Sequence, residues 1–433
     1  MTTFLFAQAA ATGGVGNILD VLVFFIFLAA VIFVAFGMSR GAGGGAEDMF
    51  LGGRGLKWWL IGFSLIAANI SAEQFVGMSG QGADYIGLAV ASYEWIAALS
   101  LVIVAFFFLP RFLKAGIFTI PEYLEVRYNK SSRTIMSVLM MVMLVAVNIT
   151  VVTFAGAKAY AVFFDGMSVC GIPLDLKFFC WAIGIFAALY VFAGGLKACA
   201  WADLLQGSAL IAAGCVVLYF SLKKLGLEDP NVLAASAPGV EGLADKLAGA
   251  GAWERFSELN GDKLRMNLPS WDLVLPVTAL IFAIWIPNLY YWGLNQYIIQ
   301  RTLGANTLGD GQKGLVFAAF MKLLIPFIVI FPGMIAFNLF HNEMKASAAG
   351  KDEITRFEQC AKDGVIPEGA PLFTFNRSYA AINPENAKAM LDLNARALGK
   401  NAEDYLKLAA NPRMTIEDQY ELTLIAMKKS NPE

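Results

Sequence analysis

The chain has 433 residues and is 58% hydrophobic, 13% aromatic and only 15% charged, with a mean hydropathy of +0.61, which sets it apart from soluble domains. Apolar runs of about 18 residues or more recur, each long enough to cross a bilayer as a helix, so the chain reads as an all-α polytopic membrane protein. A formal net charge of −2 argues against a nucleic-acid or other highly charged partner.

The first apolar segment covers about Ile18 to Phe36. No basic residue precedes it, the first charge being Asp20, so it reads as a retained helix and not as a cleaved leader. The glycines at 41–45 lack a P-loop lysine and a preceding strand, and read as a flexible connection. A second segment, Trp58 to Gly80, starts apolar and then places Asn69, Ser71, Glu73 and Gln74 in succession, followed by Gly77, Ser79 and Gly80. Further helices are predicted over about 86–109, 134–164, 176–193, 201–222, 273–299 and 314–340, giving eight spans. A polar loop, 223–270, separates the sixth from the seventh. Basic residues in short connections mark one side: Arg40, Arg54 and Lys57; Arg111, Lys114, Arg127, Lys130 and Arg133; Lys197; Arg301 and Lys313. That side is cytoplasmic, which places the N-terminus and everything after 340 outside. The expected division is a transmembrane core, 1–340, and a polar extramembrane segment, 341–433. In the latter, NAKAMLDLNARAL and EDQYELTLIAMKK carry amphipathic helical patterns.

Polar groups at membrane depth are costly unless paired, and they usually face a cavity or the bundle interior. Glu94 lies within the run LAVASYEWIAALSLVIV, and Lys322 within KGLVFAAFMKLLIPF. Asp203 opens the 201–222 helix. Asn288, Tyr290, Tyr291, Trp292, Asn295 and Gln296 crowd the segment behind Pro287, which removes a backbone hydrogen bond. Near mid-bilayer, Asn69–Gln74 interrupts a helix in a way that frees carbonyls to hold a cation or solute. Amides, a carboxylate, an ammonium and aromatic rings together suit a neutral polyhydroxylated ligand. Plainer readings stand beside these. The polar stretch of 64–81 packs as a small-residue helix, Glu94 and Lys322 form a structural ion pair, the rings of 290–292 form an interfacial belt, and Asp203 caps its helix.

Five cysteines, Cys170, Cys180, Cys199, Cys215 and Cys360, show no metal spacing, although Cys170 and Cys180 could pair on an oxidising side. With one histidine, His341, and no nucleophile elbow or metal cluster, nothing points to an enzyme.

The strings FLGGRGLKWWLIGFSLIAANISAEQFVGMSGQG, ASYEW, FTIPEYLEVRYN, GGLKACAWADLLQ, NLYYWGLNQYIIQRTL and KGLVFAAFMKLLIPF run almost without a gap from about Phe50 to Pro332. On these strings the chain resembles the sodium/solute symporter family, in its sodium/glucose cotransporter branch. The resemblance implies a LeuT-like inverted-repeat fold and sodium-coupled symport of a sugar such as glucose or galactose, or a related polyol, across the plasma membrane. It implies that Gln74, Glu94, Asn288 and Lys322 bond the sugar hydroxyls, and that Tyr291 stacks on the sugar as an inner gate. Carbonyls of Ala67 and Ile70 would hold half of a sodium site, with Asp203 on the ion's inward path. One departure is Ala97, where the branch often has serine. A second lies after Phe340, where helices that complete the family's second repeat are not found. The fold is therefore expected to be incomplete, the chain being the N-terminal part of a symporter. The alternatives are a solute-binding membrane sensor, or an inactive fragment or subunit needing a partner chain with the missing helices.

Overall fold

The computed structural model describes residues 18–39, 45–164, 168–169, 172–237, 240, 242–266, 268–269, 272, 274–341, 344, 351–367, 373 and 384–398. The main helices are α1 (Ile18–Ser39), α2 (Trp58–Asn69), α3 (Ala72–Ala83), α4 (Ser92–Ile103), α5 (Lys130–Val142), α6 (Thr150–Phe163), α7 (Leu176–Leu227), α8 (Trp285–Gly293), α9 (Gln296–Leu303) and α10 (Leu308–Leu339). Among the described residues, four helical stretches are long and apolar enough to cross a membrane: Gly87–Ala115, Lys130–Phe163, Gly194–Leu227 and Leu308–Leu339. The bent pair α2–α3 makes a fifth, and Leu22–Met38 and Leu176–Leu189 are shorter apolar helices. Two compact units are formed, Met1–Gly80 with Val90–Leu218 and Val277–Phe331, and Gln81–Ala89 with Tyr219–Pro276 and Pro332–Glu433.

The first unit departs from straight helices at four kinds of place. Between α2 and α3 the axis turns by 62°. Ile70 is extended there (φ −79, ψ 97), and the Ser71 carbonyl restarts the helix by accepting from Gln74 and Phe75. The last carbonyl of α2 to be taken is that of Ile66, so no backbone N–H among the described residues reaches those of Ala67, Ala68, Asn69 or Ile70. Within α7 the chain kinks at Gly195 (φ 56, ψ −153), a left-handed conformation that glycine alone adopts freely. A Cβ at this position would also lie 2.7 Å from the Met49 carbonyl. The helices predicted over 176–193 and 201–222 are thus joined through a kink, and Lys197 is helical. Asp203 consequently sits about two turns into its segment and does not cap it.

The helix predicted over 273–299 is likewise not continuous. It contains a π-type turn at Ala279–Ala283, closed by the bond from the Ile284 N–H to the Ala279 carbonyl. Pro287 follows, which has no N–H to give the Ala283 carbonyl. A break at Leu294–Asn295 then separates α8 from α9, both N–H groups turning back to the Tyr290 carbonyl. Two further π segments, Val104–Phe108 and Met143–Ile149, interrupt the long spans. Such turns leave carbonyls in need of partners, and Gln312 of α10 donates to that of Ala105 at 3.3 Å.

Small residues let the helices of this unit approach closely. A Cβ on Gly314 would lie 2.7 Å from Ile61 Cγ2 and 3.0 Å from the Trp58 carbonyl, which fixes α10 against α2. Gly207 does the same for α7, where a Cβ would come within 3.0 Å of Ala67 Cβ. Phe317 fills the α2–α10 seam between Trp58 and Phe63, at ring-centroid distances of 5.7 and 5.4 Å. In contrast, the span from α5 through the Met143–Ile149 turn to α6 exposes Ile135, Val138, Leu139, Val145, Ile149 and Phe154, an apolar surface suited to lipid.

The second unit is a polar-loop assembly. Arg255 is buried and donates to the carbonyls of Leu225, Glu228 and Ala250, closing the end of the preceding helix. Asn260 donates to Asn338 at 2.8 Å and Asn338 to Ser236 at 3.0 Å. Toward the C-terminus, Lys351–Asp363 and Pro384–Leu398 pack around Phe373, whose N–H and carbonyl are both taken by the Asn394 amide. The second of these helices covers the NAKAMLDLNARAL pattern, whereas EDQYELTLIAMKK and Cys170 lie outside the described residues.

Candidate solute and ion site

Six elements of the first unit meet in one buried polar array. Lys322, at mid-length of α10, is fully buried. Its ammonium donates to Glu94 of α4 and to the side-chain oxygen of Asn69 at the end of α2. It also lies 5.0 Å from the centroid of the Trp292 ring, whose face favours a cation. Pro326, four residues on, has no N–H for the Lys322 carbonyl. Gln74 of α3 donates to the second Glu94 oxygen, so both oxygens of that carboxylate are engaged. The array continues from Asn69, which donates to the Tyr291 hydroxyl at 3.2 Å, and from Tyr291 to the Tyr297 hydroxyl at 2.5 Å. One acceptor is left over: Gln74 Oε1 is buried without a hydrogen-bond partner. A desolvated unpaired carbonyl costs about 1–3 kcal/mol, which a ligand hydroxyl would recover.

A second cluster lies along α7. Asp203, 8% exposed, accepts from Ser64 at 2.5 Å and from Arg301 at 3.0 and 3.3 Å. Arg301 also donates to Ser64 at 2.8 Å. Ser64 stands one turn before Ala67, and Gly207 is one turn beyond Asp203. The Asp203 cluster thus touches the face of α2 that leads to the freed carbonyls.

The electrostatics of both clusters point the same way. Each buried charge has its opposite in contact, Glu94 with Lys322 and Asp203 with Arg301. No net charge is therefore left over from these four groups.

Of the residues expected from the sequence, Gln74, Glu94, Lys322 and Tyr291 come together, and Ala67 and Ile70 flank the α2–α3 break. Tyr291 is half-buried, and its hydroxyl is bonded to Asn69 and Tyr297 and not turned to a membrane surface. Asn288 is not hydrogen-bonded to the array, its amide donating to the Ile284 carbonyl of its own turn at 3.0 Å. Asp203 belongs to the second cluster. Arg301, read from the sequence as a loop charge marking the cytoplasmic side, is instead inside α9 and paired with Asp203. An intramembrane carboxylate without a cation in its own segment was the signal for it. For Tyr297 and Ser64 the sequence offered no such signal.

The sequence pattern of the sodium:solute symporter family matches residues 49–370. The chain belongs to this family. The matched symporter segment contains every residue of both clusters. A sodium/glucose cotransporter of Vibrio parahaemolyticus is 40% identical over 348 residues, which cover 80% of this chain and 60% of that protein. An uncharacterized symporter of Escherichia coli K12 is 32% identical over 396 residues, covering 89% of this chain and 65% of that protein. The chain thus spans about 60–65% of the length of these relatives. A Na+-coupled sialic acid symporter, solved in its substrate-bound outward-open state, superposes with a TM-score of 0.62 at 18% identity over 95% of this chain and 79% of that one. At that identity the likeness is one of fold, and it agrees with the LeuT-like architecture expected from the sequence.

Proposed function

We propose that this multi-pass membrane protein carries a neutral polyhydroxylated solute, a sugar such as glucose or galactose or a related polyol, inward across the plasma membrane together with sodium. The Gln74–Glu94–Lys322–Asn69–Tyr291 array carries this reading. It is charge-balanced, it contains an orphaned acceptor at Gln74, and it lies beside a broken helix whose carbonyls are free. Gln74, Glu94, Asn288 and Lys322 exchange their internal hydrogen bonds for bonds to solute hydroxyls, and Tyr291 stacks on the solute from the inner side. Hydroxyl groups suit this exchange because each donates and accepts, matching a carboxylate, an ammonium and two amides.

Sodium sits at the carbonyls of Ala67 and Ile70, where the α2–α3 break supplies oxygen ligands without a charged side chain. Asp203 lies on its inward path. The two broken segments, α2–α3 and α8–α9, stand in corresponding places in the two inverted repeats of a LeuT-like fold. The N-terminus and 341–433 are on the outside, as the remaining basic connections at Arg111–Arg133 favour.

A panel of labelled glucose, galactose, myo-inositol, an amino acid and an organic acid tests the solute class by binding in the presence of sodium. Binding is expected for sugars or polyols alone, and Gln74→Ala is expected to weaken it about 10- to 100-fold, the worth of a hydrogen bond to a charged or buried group. Preference for the amino acid or organic acid would overturn the reading.

A further inference from the structure

We propose that Tyr297 is the positioning residue that couples the solute array to the Asp203 cluster. This rests on the symport reading above and specifies how its two halves communicate.

Tyr297 is the place where the two clusters share a residue. Its hydroxyl meets that of Tyr291 at 2.5 Å, and its backbone carbonyl accepts from the Arg301 guanidinium. Tyr297 and Arg301 are four residues apart on α9, so they lie on one face, while Ile298, Ile299, Thr302 and Leu303 are buried on the remainder. The hydrogen-bonded route is continuous in both directions. From Tyr291 it reaches Asn69, Lys322 and Glu94; from Arg301 it reaches Ser64 and Asp203. Asn69 is the last residue of α2, between Ala67 and Ile70, and Ser64 is five residues before it on the same helix. Both ends of the route therefore return to the helix that carries the freed carbonyls.

The element holding Tyr297 is short and bounded at both ends. It has eight residues, begins at the Leu294–Asn295 break and ends at Gly304. Gln296 grips the Ile120 N–H at 2.8 Å, and Gln300 donates to the Phe50 carbonyl at 2.6 Å. When Tyr291 swings to let solute pass, it gives up its bond to Tyr297. Helix α9 then loses its tie to the solute array, and Arg301 loosens its hold on Asp203. An effector couples two sites only through contacts that differ between states, and the hydroxyl pair is such a contact.

The test uses the full chain reconstituted in vesicles, with labelled galactose as the probe. Galactose affinity is measured at low and at saturating sodium, and sodium affinity with and without galactose. Tyr297→Phe removes one hydroxyl and keeps the ring and the carbonyl that Arg301 uses. It is expected to reduce the sodium-induced gain in galactose affinity about five-fold, the worth of one hydrogen bond. The galactose-induced gain in sodium affinity falls by the same factor, as linkage requires. Affinity at low sodium stays nearly unchanged. Tyr290→Phe, whose hydroxyl only meets the Met143 sulfur, keeps the full gain. A full gain in Tyr297→Phe overturns the proposal, as does an equal loss in Tyr290→Phe. Absence of any gain in the unsubstituted protein overturns the symport reading itself, and the coupling role falls with it.

Discussion

Lys322→Ala is expected to abolish solute binding and to destabilise the protein by about 3–5 kcal/mol, the cost of leaving one member of a buried ion pair alone. Lys322 is fully buried and Glu94 is 4% exposed, so neither can turn to water when its partner is lost. Removing the ammonium strands the Glu94 carboxylate with Gln74 alone and leaves the Asn69 oxygen without its donor. Solute binding fails for a separate reason: the ammonium that would donate to its hydroxyls is gone, and Glu94 and Asn69 lose the group that holds them in place. The two effects separate in the double variant Glu94→Gln with Lys322→Gln, which removes both charges and keeps polar groups of similar reach. Thermal unfolding in detergent is expected to return most of the way to the unsubstituted value, while labelled galactose binding stays absent. Binding retained by Lys322→Ala would remove the array from the solute site.

Arg301→Ala is expected to act first on the ion half, and through the broken route to Tyr297 to lower the sodium-induced gain in galactose affinity. It leaves Asp203 buried with only the Ser64 hydroxyl, at a cost of about 2–5 kcal/mol. The large distance in sequence between Asp203 and Arg301 means that this pair also fastens α9 to α7. Sodium-driven uptake is expected to fall about ten-fold or more, with the sodium concentration for half-maximal uptake shifted and galactose binding at low sodium largely kept. Arg301→Lys recovers little, because a guanidinium contacts the Asp203 carboxylate and Ser64 at once and an ammonium is a single point. Uptake kinetics across a sodium series, measured beside galactose binding, separate this outcome from general unfolding.

The membrane class was legible in the sequence, and so was the clustering of Gln74, Glu94 and Lys322, because a carboxylate, a lysine and amides inside apolar runs are too costly to be incidental. The helix breaks were legible only where a chemical cause was written into the chain, as with Pro287 or the succession Asn69–Ser71–Gln74. The kink at Gly195 depends on how closely the Met49 carbonyl approaches, a fact of packing that no local pattern carries. Arg301 was misplaced because a basic residue at the end of an apolar run reads equally as a boundary charge and as the partner of a distant carboxylate. Tyr297 was invisible for a similar reason: its hydroxyl meets that of Tyr291 across the α8–α9 break, and no residue type in the chain marks that break.

The most direct measurement is accumulation of labelled galactose by vesicles containing this chain, under an inward sodium gradient and again with sodium equal on both sides. Uptake is expected to rise transiently above equilibrium with the gradient, to remain at equilibrium without it, and to disappear in Gln74→Ala. Galactose binding in folded, inserted protein without gradient-driven accumulation would contradict coupled transport and identify a solute-binding sensor instead.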